Sequence, residues 1–298
     1  MNTLIVITGP TGVGKSDVAL KVAASLSTHI LSADSRQIYR GIPITTAAPT
    51  PEQLAAVPHH FVGTLPLDAY YSAAMFEQEA LQLLLSVFEQ SGGVAVMCGG
   101  SMMYVDAVCH GLDQLPTISN AVRDKVVKIR DEQGPQELLD LLDRLDPEYG
   151  RIVDRANLKR VMHAVEICLE SGQTYTSLRG REKEERPFRV LKFMLTAPRE
   201  TLFSRINART LKMVETGMVD EVHSVAHLRH LNSLNTVGFK EMFRYLDGEW
   251  TLDEAVARLQ KNTRVYAKKQ LTWFARDPLI RPLDVTAADP VAAILAAL

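Results

Sequence analysis

Residues 9–16 read Gly-Pro-Thr-Gly-Val-Gly-Lys-Ser. The spacing Gly-x-x-x-x-Gly-Lys-Ser is built to hold phosphate. Its glycines let the chain curl so that successive N–H groups face an anion, and the helix that follows adds its positive end. Lys15 brings charge to the phosphate, and the Ser16 hydroxyl is placed to ligate Mg²⁺. Gly9, Pro10, Thr11, Gly12, Val13 and Gly14 complete the cradle. Such a loop can grip the β/γ-phosphates of a nucleotide, or a diphosphate about to leave some other molecule. No Asn-Lys-x-Asp guanine reader is present, which argues against a GTPase. The apolar run 94–98 ends in Gly99-Gly100-Ser101 rather than in the acid that closes an ordinary Walker B strand. Asp34 is the first acid at the mouth of a strand, and a general base is its favoured reading. The alternatives are a capping role or an outer-shell contact to Mg²⁺.

These residues need elements to position them. "TLIVIT" (3–8) is a short, continuous apolar run with β-branched residues, the pattern of a buried parallel strand. Val18, Ala19, Val22, Ala23 and Leu26 then recur at helical spacing. "HILSAD" (29–34) reads as a second strand, and a helix is expected from an N-cap at Ser72 to a C′ residue at Gly92. "VAVMC" (94–98) is a third strand. Strand ends of a parallel sheet face the ligand crevice, which puts Asp34 beside the phosphate loop. The pattern predicts an α/β fold: a P-loop core with a parallel sheet flanked by helices, plus an all-helical insertion domain. From Ser119 to Gly172 three helical stretches are expected, broken at "QGPQ" (133–136) and "LDPEYG" (145–150). "REKEERP" (181–187) reads as a charged, exposed return, and "FRVLKFMLT" (188–196) resumes the sheet. The expected division is 1–112 for the first part of the core, 113–186 for the insertion, and 187–298 for the second part.

Length and composition bound the function. A chain of 298 residues suggests roughly two domains of about 150 residues each. A net charge of −2 does not advertise nucleic-acid binding, so any basic site must be a local patch. Three cysteines without Cys-x-x-Cys spacing point to a reducing, cytoplasmic compartment and to no zinc finger. The N-terminus lacks a basic segment ahead of its apolar run, so no signal peptide is expected. The uncharged stretch 90–105 is too short and glycine-rich to span a bilayer, so no membrane partner is expected.

"GPTGVGKS", "SADSRQIYRG", "GGSMMYVDAV…GL", "NLKRVMHAVEICLESG", "TVGFKEM" and "RVYAKKQLTWFARD" occur in this order. Together they closely resemble the bacterial-type tRNA dimethylallyltransferases, also called tRNA isopentenyltransferases, over nearly the whole chain. The resemblance implies transfer of a dimethylallyl group from dimethylallyl diphosphate to N6 of the adenosine 3′-adjacent to the anticodon in tRNA. It implies Mg²⁺, no ATP, and a P-loop that holds the diphosphate leaving group. Asp34 then matches the family's base, and Ser101 falls where the family commonly has Thr, keeping the hydroxyl; an N-cap of the next helix is its other reading. An arginine near 205–209 is implied to hold the diphosphate. Arg205 and Arg209 share a helix face, and spacing does not separate them, though Arg209 is favoured. The tRNA is implied to lie along Asp34, Ser35, Arg36, Gln37 and Ser101, and along Arg123 with Ala156, Asn157, Leu158, Lys159 and Arg160. It is further implied to touch Val237, Gly238, Phe239, Lys240 and Glu241. His163 departs from the family's usual Arg. An adenylate isopentenyltransferase and a small-molecule P-loop kinase are the rival readings, and a monomer is expected.

A helix predicted from Thr251 adds evidence of its own. Thr251 and Glu254 have capping-box spacing. At 100° per residue, Lys261, Arg264, Lys268, Lys269 and Arg276 fall within about 140° of one face. Leu259, Tyr266, Gln270 and Phe274 fall opposite. A basic stripe on a packed helix is suited to tracking phosphates, although such stripes are commonly solvated faces.

Overall fold

The computed structural model describes residues 1–113, 115–180 and 185–298. The chain divides into two compact units, one of Met1–Cys109 with Arg186–Leu298, the other of His110–Glu185. The first begins β1 (Thr3–Thr8), α1 (Lys15–Ser25), β2 (Ile30–Ser32), α2 (Pro51–Ala56), β3 (His59–His60), α3 (Ala73–Gln90), β4 (Val94–Cys98), α4 (Met102–His110). The second unit holds α5 (Asn120–Gln133), α6 (Pro135–Leu145), α7 (Pro147–Ile152), α8 (Leu158–Ser171) and α9 (Tyr175–Leu178). The first unit resumes with β5 (Arg189–Thr196), α10 (Arg199–Glu215), α11 (Met218–Ser224), α12 (Phe239–Leu246), α13 (Leu252–Phe274), β6 (Arg281–Asp284) and α14 (Pro290–Leu295).

The strands pair in the order β3-β2-β4-β1-β5-β6, every pair parallel. β1 lies inside the sheet with apolar layers on both faces. The pleat sends Leu4 and Val6 into one layer and Ile5 and Ile7 into the other. All four are fully buried, and each such burial contributes about 1.5–3 kcal/mol. That is why β1 reads as an unbroken apolar run. β3 and β6 have no such signature: β3 is two histidines, and β6 (Arg-Pro-Leu-Asp) is largely exposed. β2 is shorter than the expected 29–34, because the chain turns out of the sheet after Ser32 to present Asp34.

Helix ends follow their side chains. Ser72 caps α3 by accepting from the Met75 N–H, and Thr251 with Glu254 forms a full capping box on α13. The helical unit differs from expectation in one respect. "LDPEYG" does not only break a helix; Asp146 caps a further short one, α7. Asp146 is buried, and its carboxylate also accepts from the Thr176 N–H (2.7 Å) and hydroxyl (3.0 Å), so it ties α7 to α9. Val126, Leu138, Leu142, Val161 and Val165 form the core of this unit.

Of the charged return, residues 181–184 lie outside those described. Arg186 corrects the expectation of exposure. Its side chain is buried, pairs with Glu77, and donates to the Ala107 (2.6 Å) and Val108 (2.9 Å) carbonyls. The paired carboxylate and carbonyls replace the water it gives up.

Where β2 and β4 end, Ala33 N–H donates to the Cys98 carbonyl (2.8 Å) and Ser101 N–H to the Ala33 carbonyl (3.1 Å). A Cβ on Gly99 would overlap that Ala33 carbonyl. Gly99→Ala should therefore push the two strand ends apart and destabilise the fold by about 1–3 kcal/mol. Thermal denaturation checks this; an unchanged Tm would show that the strand ends tolerate the methyl.

Candidate active site

A cavity of about 310 Å³ opens at the carboxyl ends of the strands, lined entirely by the first unit. Three neighbouring strands deliver its chemistry. β1 delivers the loop 9–16, β2 delivers Asp34, and β4 delivers Gly100 and Ser101. Thr11, Lys15 and Ser16 line one end, with Lys15 opening α1 behind a left-handed Gly14. Arg209 reaches in from α10, the helix after β5.

The two cations are pulled from water. Burial, reinforced by the Arg209 charge and offset by Cys98 and Asp34, brings the Lys15 pKa down to about 8. Burial likewise lowers Arg209, with Asp34 opposing. Lys15 Nζ donates to the Pro10 carbonyl (2.9 Å), and Arg209 Nη2 to the Thr11 hydroxyl (2.6 Å). Arg209 Nε is buried with no hydrogen-bond partner among the described residues. Arg205 is directed elsewhere: Nη1 donates to the Val13 carbonyl (3.1 Å), bracing the loop from outside the cavity lining. Cys98 lines the same end, and burial pushes its thiol up to about 11, so it remains neutral.

Asp34 faces the cavity with its orientation fixed. Oδ1 accepts from the Arg36 (2.9 Å) and Gln37 (3.3 Å) N–H groups, which makes the carboxylate the pivot of its own turn. The Ser101 hydroxyl accepts from the Ser35 N–H (2.8 Å), bridging the β2 and β4 ends, while its carbonyl accepts the first N–H groups of α4. Arg36 holds the Asn232 carbonyl (2.8 Å), and Gln37 Nε2 the Thr46 (3.2 Å) and Ala47 (2.9 Å) carbonyls. Met213, Met218, Val237 and Leu259 give the cavity an apolar flank, and Tyr266 stands beside them.

Two expected RNA contacts are corrected. Phe239 is fully buried in the core, and Glu241 is buried with both oxygens engaged. Glu241 accepts from the Gly238 N–H (2.7 Å) and from Asn262 Nδ2 (2.7 Å) and caps α12, so neither side chain is presented to a ligand. Val237 and Gly238 line the cavity, and Lys240 is exposed. Arg123, Ala156, Lys159 and Arg160 are exposed on the helical unit, while Asn157 caps α8 and Leu158 is half-buried. Lys261, Lys268 and Lys269 on α13, and Arg276 just past its end, are exposed, and the opposite stripe with Leu259, Gln270 and Phe274 is buried. Arg264 is half-buried, donating to Asn207 (2.6 Å).

Sequence reasoning missed Gln270 as a site residue. Its Oε1 accepts from the Thr11 N–H (2.8 Å) and its Nε2 donates to the Gly100 carbonyl (2.9 Å). The available signal was a polar residue in the buried stripe of α13. His59 and the loop 45–47, which also line the cavity, carried no signal.

Fold and site together define a P-loop protein whose loop shares one cavity with a fixed carboxylate. The IPP transferase family model matches residues 37–277. The chain is 54% identical over 281 residues to tRNA dimethylallyltransferase 1 of Bacteroides thetaiotaomicron, covering 94% of this chain and 91% of that one. Among solved structures it is similar to the tRNA isopentenylpyrophosphate transferase of Bacillus halodurans, with a TM-score of 0.72, 34% identity, and 100% and 94% of the two chains covered. The enzyme described as tRNA delta(2)-isopentenylpyrophosphate transferase from Staphylococcus epidermidis gives a TM-score of 0.70 at 28% identity, covering 100% and 97%. The chain belongs to the IPP transferase family. Among the described residues no helix is long and apolar enough to cross a membrane.

The depressed Lys15 has a measurable consequence. In the free protein Lys15 loses its proton as pH rises through about 8. A bound diphosphate favours the ammonium and lifts that value. Above pH 8, binding should therefore take up a proton at Lys15, and affinity should fall as pH rises; below pH 7 this group contributes no uptake. Calorimetry of pyrophosphate binding at pH 8.5 in two buffers of different ionisation enthalpy checks this. Wild type should take up more protons than Lys15→Met; equal uptake would contradict it.

Proposed function

We propose that the chain transfers a dimethylallyl group from dimethylallyl diphosphate to N6 of the adenosine 3′-adjacent to the anticodon in tRNA, releasing diphosphate. One observation carries the reading. Two desolvated cations, Lys15 and Arg209, face the cavity that also holds a backbone-fixed carboxylate, Asp34. That set suits a reaction in which an anion departs at one end while a proton is removed at the other.

Breaking the allylic C–O bond leaves its electron pair on the diphosphate. Lys15, Arg209 and the loop N–H groups oppose that charge, and preorganised charge of this kind acts most strongly where it gathers in the transition state. The lone pair of N6 forms the new C–N bond. Adenine N6 is a weak nucleophile because its lone pair is delocalised, so it must lose a proton as it attacks, and Asp34 accepts it. Ser101 keeps the Asp34 turn in register through Ser35. Ser16 would hold Mg²⁺ together with diphosphate oxygens and water. The residues fit that arrangement: Ser16 lines the cavity at the head of α1, and Mg²⁺ commonly takes only one or two protein ligands beside substrate phosphates. When bound, Mg²⁺ supplies further positive charge to the leaving group.

The tRNA would meet Ser35, Val237, Gly238 and Lys240 near the cavity. Lys268 and Lys269 on α13, and Arg123 with 156–160 on the helical unit, would follow its backbone. Isotopic transfer from dimethylallyl diphosphate to tRNA, with free AMP and ATP as control acceptors, tests the reading. Transfer to free nucleotide but not to tRNA would replace it with an adenylate prenyltransferase.

Asp34→Asn keeps the shape and removes the base. Its single-turnover rate should fall by roughly 10²–10⁴, with tRNA affinity within a few-fold, because the lost interaction belongs to the transition state. Recovery in a Mg²⁺ series would show instead that Asp34 organises the metal. Reversing Lys268 and Lys269 to Glu should weaken tRNA binding and flatten its salt dependence, each lost contact lowering the log–log slope by about 0.9 or less. A slope equal to wild type would make this face merely solvated.

A further inference from the structure

Gln270 is 2% exposed, on the face of α13 that packs toward the sheet. A buried amide must satisfy both of its ends, and this one does so across the site. Oε1 receives the Thr11 N–H at 2.8 Å, and Nε2 gives a hydrogen to the Gly100 carbonyl at 2.9 Å. The partners fix which end is which, since a backbone N–H can only donate and a carbonyl only accept. Thr11 belongs to the phosphate loop after β1 and also receives Arg209 through its hydroxyl. Gly100 precedes Ser101, which holds Ser35 in the Asp34 turn. One side chain therefore spans the gap between the phosphate-holding half of the cavity and the half that carries the carboxylate.

We infer that Gln270 is a positioning residue for prenyl transfer: it sets the separation between the diphosphate loop and the Ser101–Asp34 side without touching the reacting atoms. This rests on the transfer reaction proposed above. Two features support it. Gly100 gives the amide its seat, because a Cβ there would lie 2.2 Å from Gln270 Nε2. The same Cβ position lies 3.7 Å from Lys15 Nζ, so the bridge meets the backbone next to the loop's cation. No shorter residue spans both partners, and Glu would set an acceptor against the Gly100 carbonyl. A structural filler would need only the right volume; a bridge needs a donor and an acceptor at fixed ends.

The consequence falls on rate, not affinity. The loop still has Lys15, Arg209 and its own N–H groups for diphosphate when the bridge is lost, but the diphosphate and the base lose their common reference. A misplacement of about 1 Å between reacting groups costs on the order of 10²-fold in rate.

Gln270→Met keeps the volume and removes both hydrogen bonds. Gly100→Ala leaves the amide but fills its seat. Each variant should lower the single-turnover rate at saturating dimethylallyl diphosphate and tRNA by roughly 10- to 100-fold per active site. Pyrophosphate and tRNA dissociation constants should stay within about threefold of wild type, since the interaction acts on the transition state. The double variant should be no slower than the worse single, because both changes remove one bridge. Rates within threefold of wild type, losses confined to affinity, or additive losses in the double variant would overturn the assignment. If one variant does not fold, the rate-against-affinity split in the other decides. Wild type without transfer to tRNA would sink the proposed reaction itself, an outcome distinct from any of these.

Discussion

Two like charges kept from water within one cavity are the constraint around which this protein is arranged. Lys15 and Arg209 both pay for burial with a lowered pKa, and the Asp34 carboxylate offsets only part of that cost. The cations stay oriented because their donors rest on fixed acceptors: the Pro10 carbonyl for Lys15, the Thr11 hydroxyl for Arg209. Those acceptors are rigid because β1 lies inside the sheet, its side chains buried in apolar layers on both faces. Lose the sheet's interior and the loop loses its geometry.

The strand order then lays out the chemistry in a row. Reading β2-β4-β1-β5 across the sheet gives Asp34, Ser101, the phosphate loop, and Arg209 on the helix after β5. Neighbouring strands are about 4.8 Å apart. Two steps across the sheet therefore separate the ends of β2 and β1 by about 10 Å. On the proposed reaction, that gap is the room needed for an allylic carbon and the amine that attacks it. Hydrogen bonds cross the gap, from the Ala33–Cys98 and Ser101–Ala33 backbone pairs to the Gln270 amide.

Much of this was legible in the sequence, for identifiable reasons. Buried interior strands announce themselves because both faces must be apolar, so β1 and β4 were clear. Helix caps were clear at Ser72 and Thr251 because the capping hydroxyl and its N3 partner are close in sequence. β3 and β6 were not, because edge strands held by main-chain bonds leave side chains free to vary: His59-His60 and Arg-Pro-Leu-Asp have no pleat pattern. The short α7 was hidden because Asp-Pro is equally a break and a start. Phe239 and Glu241 looked available in "VGFKEM", yet only tertiary packing reveals that the first fills the core and the second is consumed by Gly238 and Asn262. Arg205 and Arg209 could not be separated by spacing, since residues four apart share a face; the curl of the loop sends one to the Val13 carbonyl and the other into the cavity.

The loop's donors are already engaged in the protein itself, and this bears on how such a site can bind tightly and still release. Thr11 N–H is held by Gln270, Lys15 by Pro10, and Arg209 by Thr11. A lysine ammonium has three hydrogens and a guanidinium five, so one internal bond each leaves capacity for a ligand without the cost of an unpaired buried charge. Of the donors on Lys15 and Arg209, Arg209 Nε is buried with no hydrogen-bond partner among the described residues. A diphosphate would thus meet donors whose positions are set before it arrives and need not be rebuilt after it leaves. The energy goes into charge that develops as the allylic bond breaks rather than into ordering the loop, which is the division that favours turnover over mere binding.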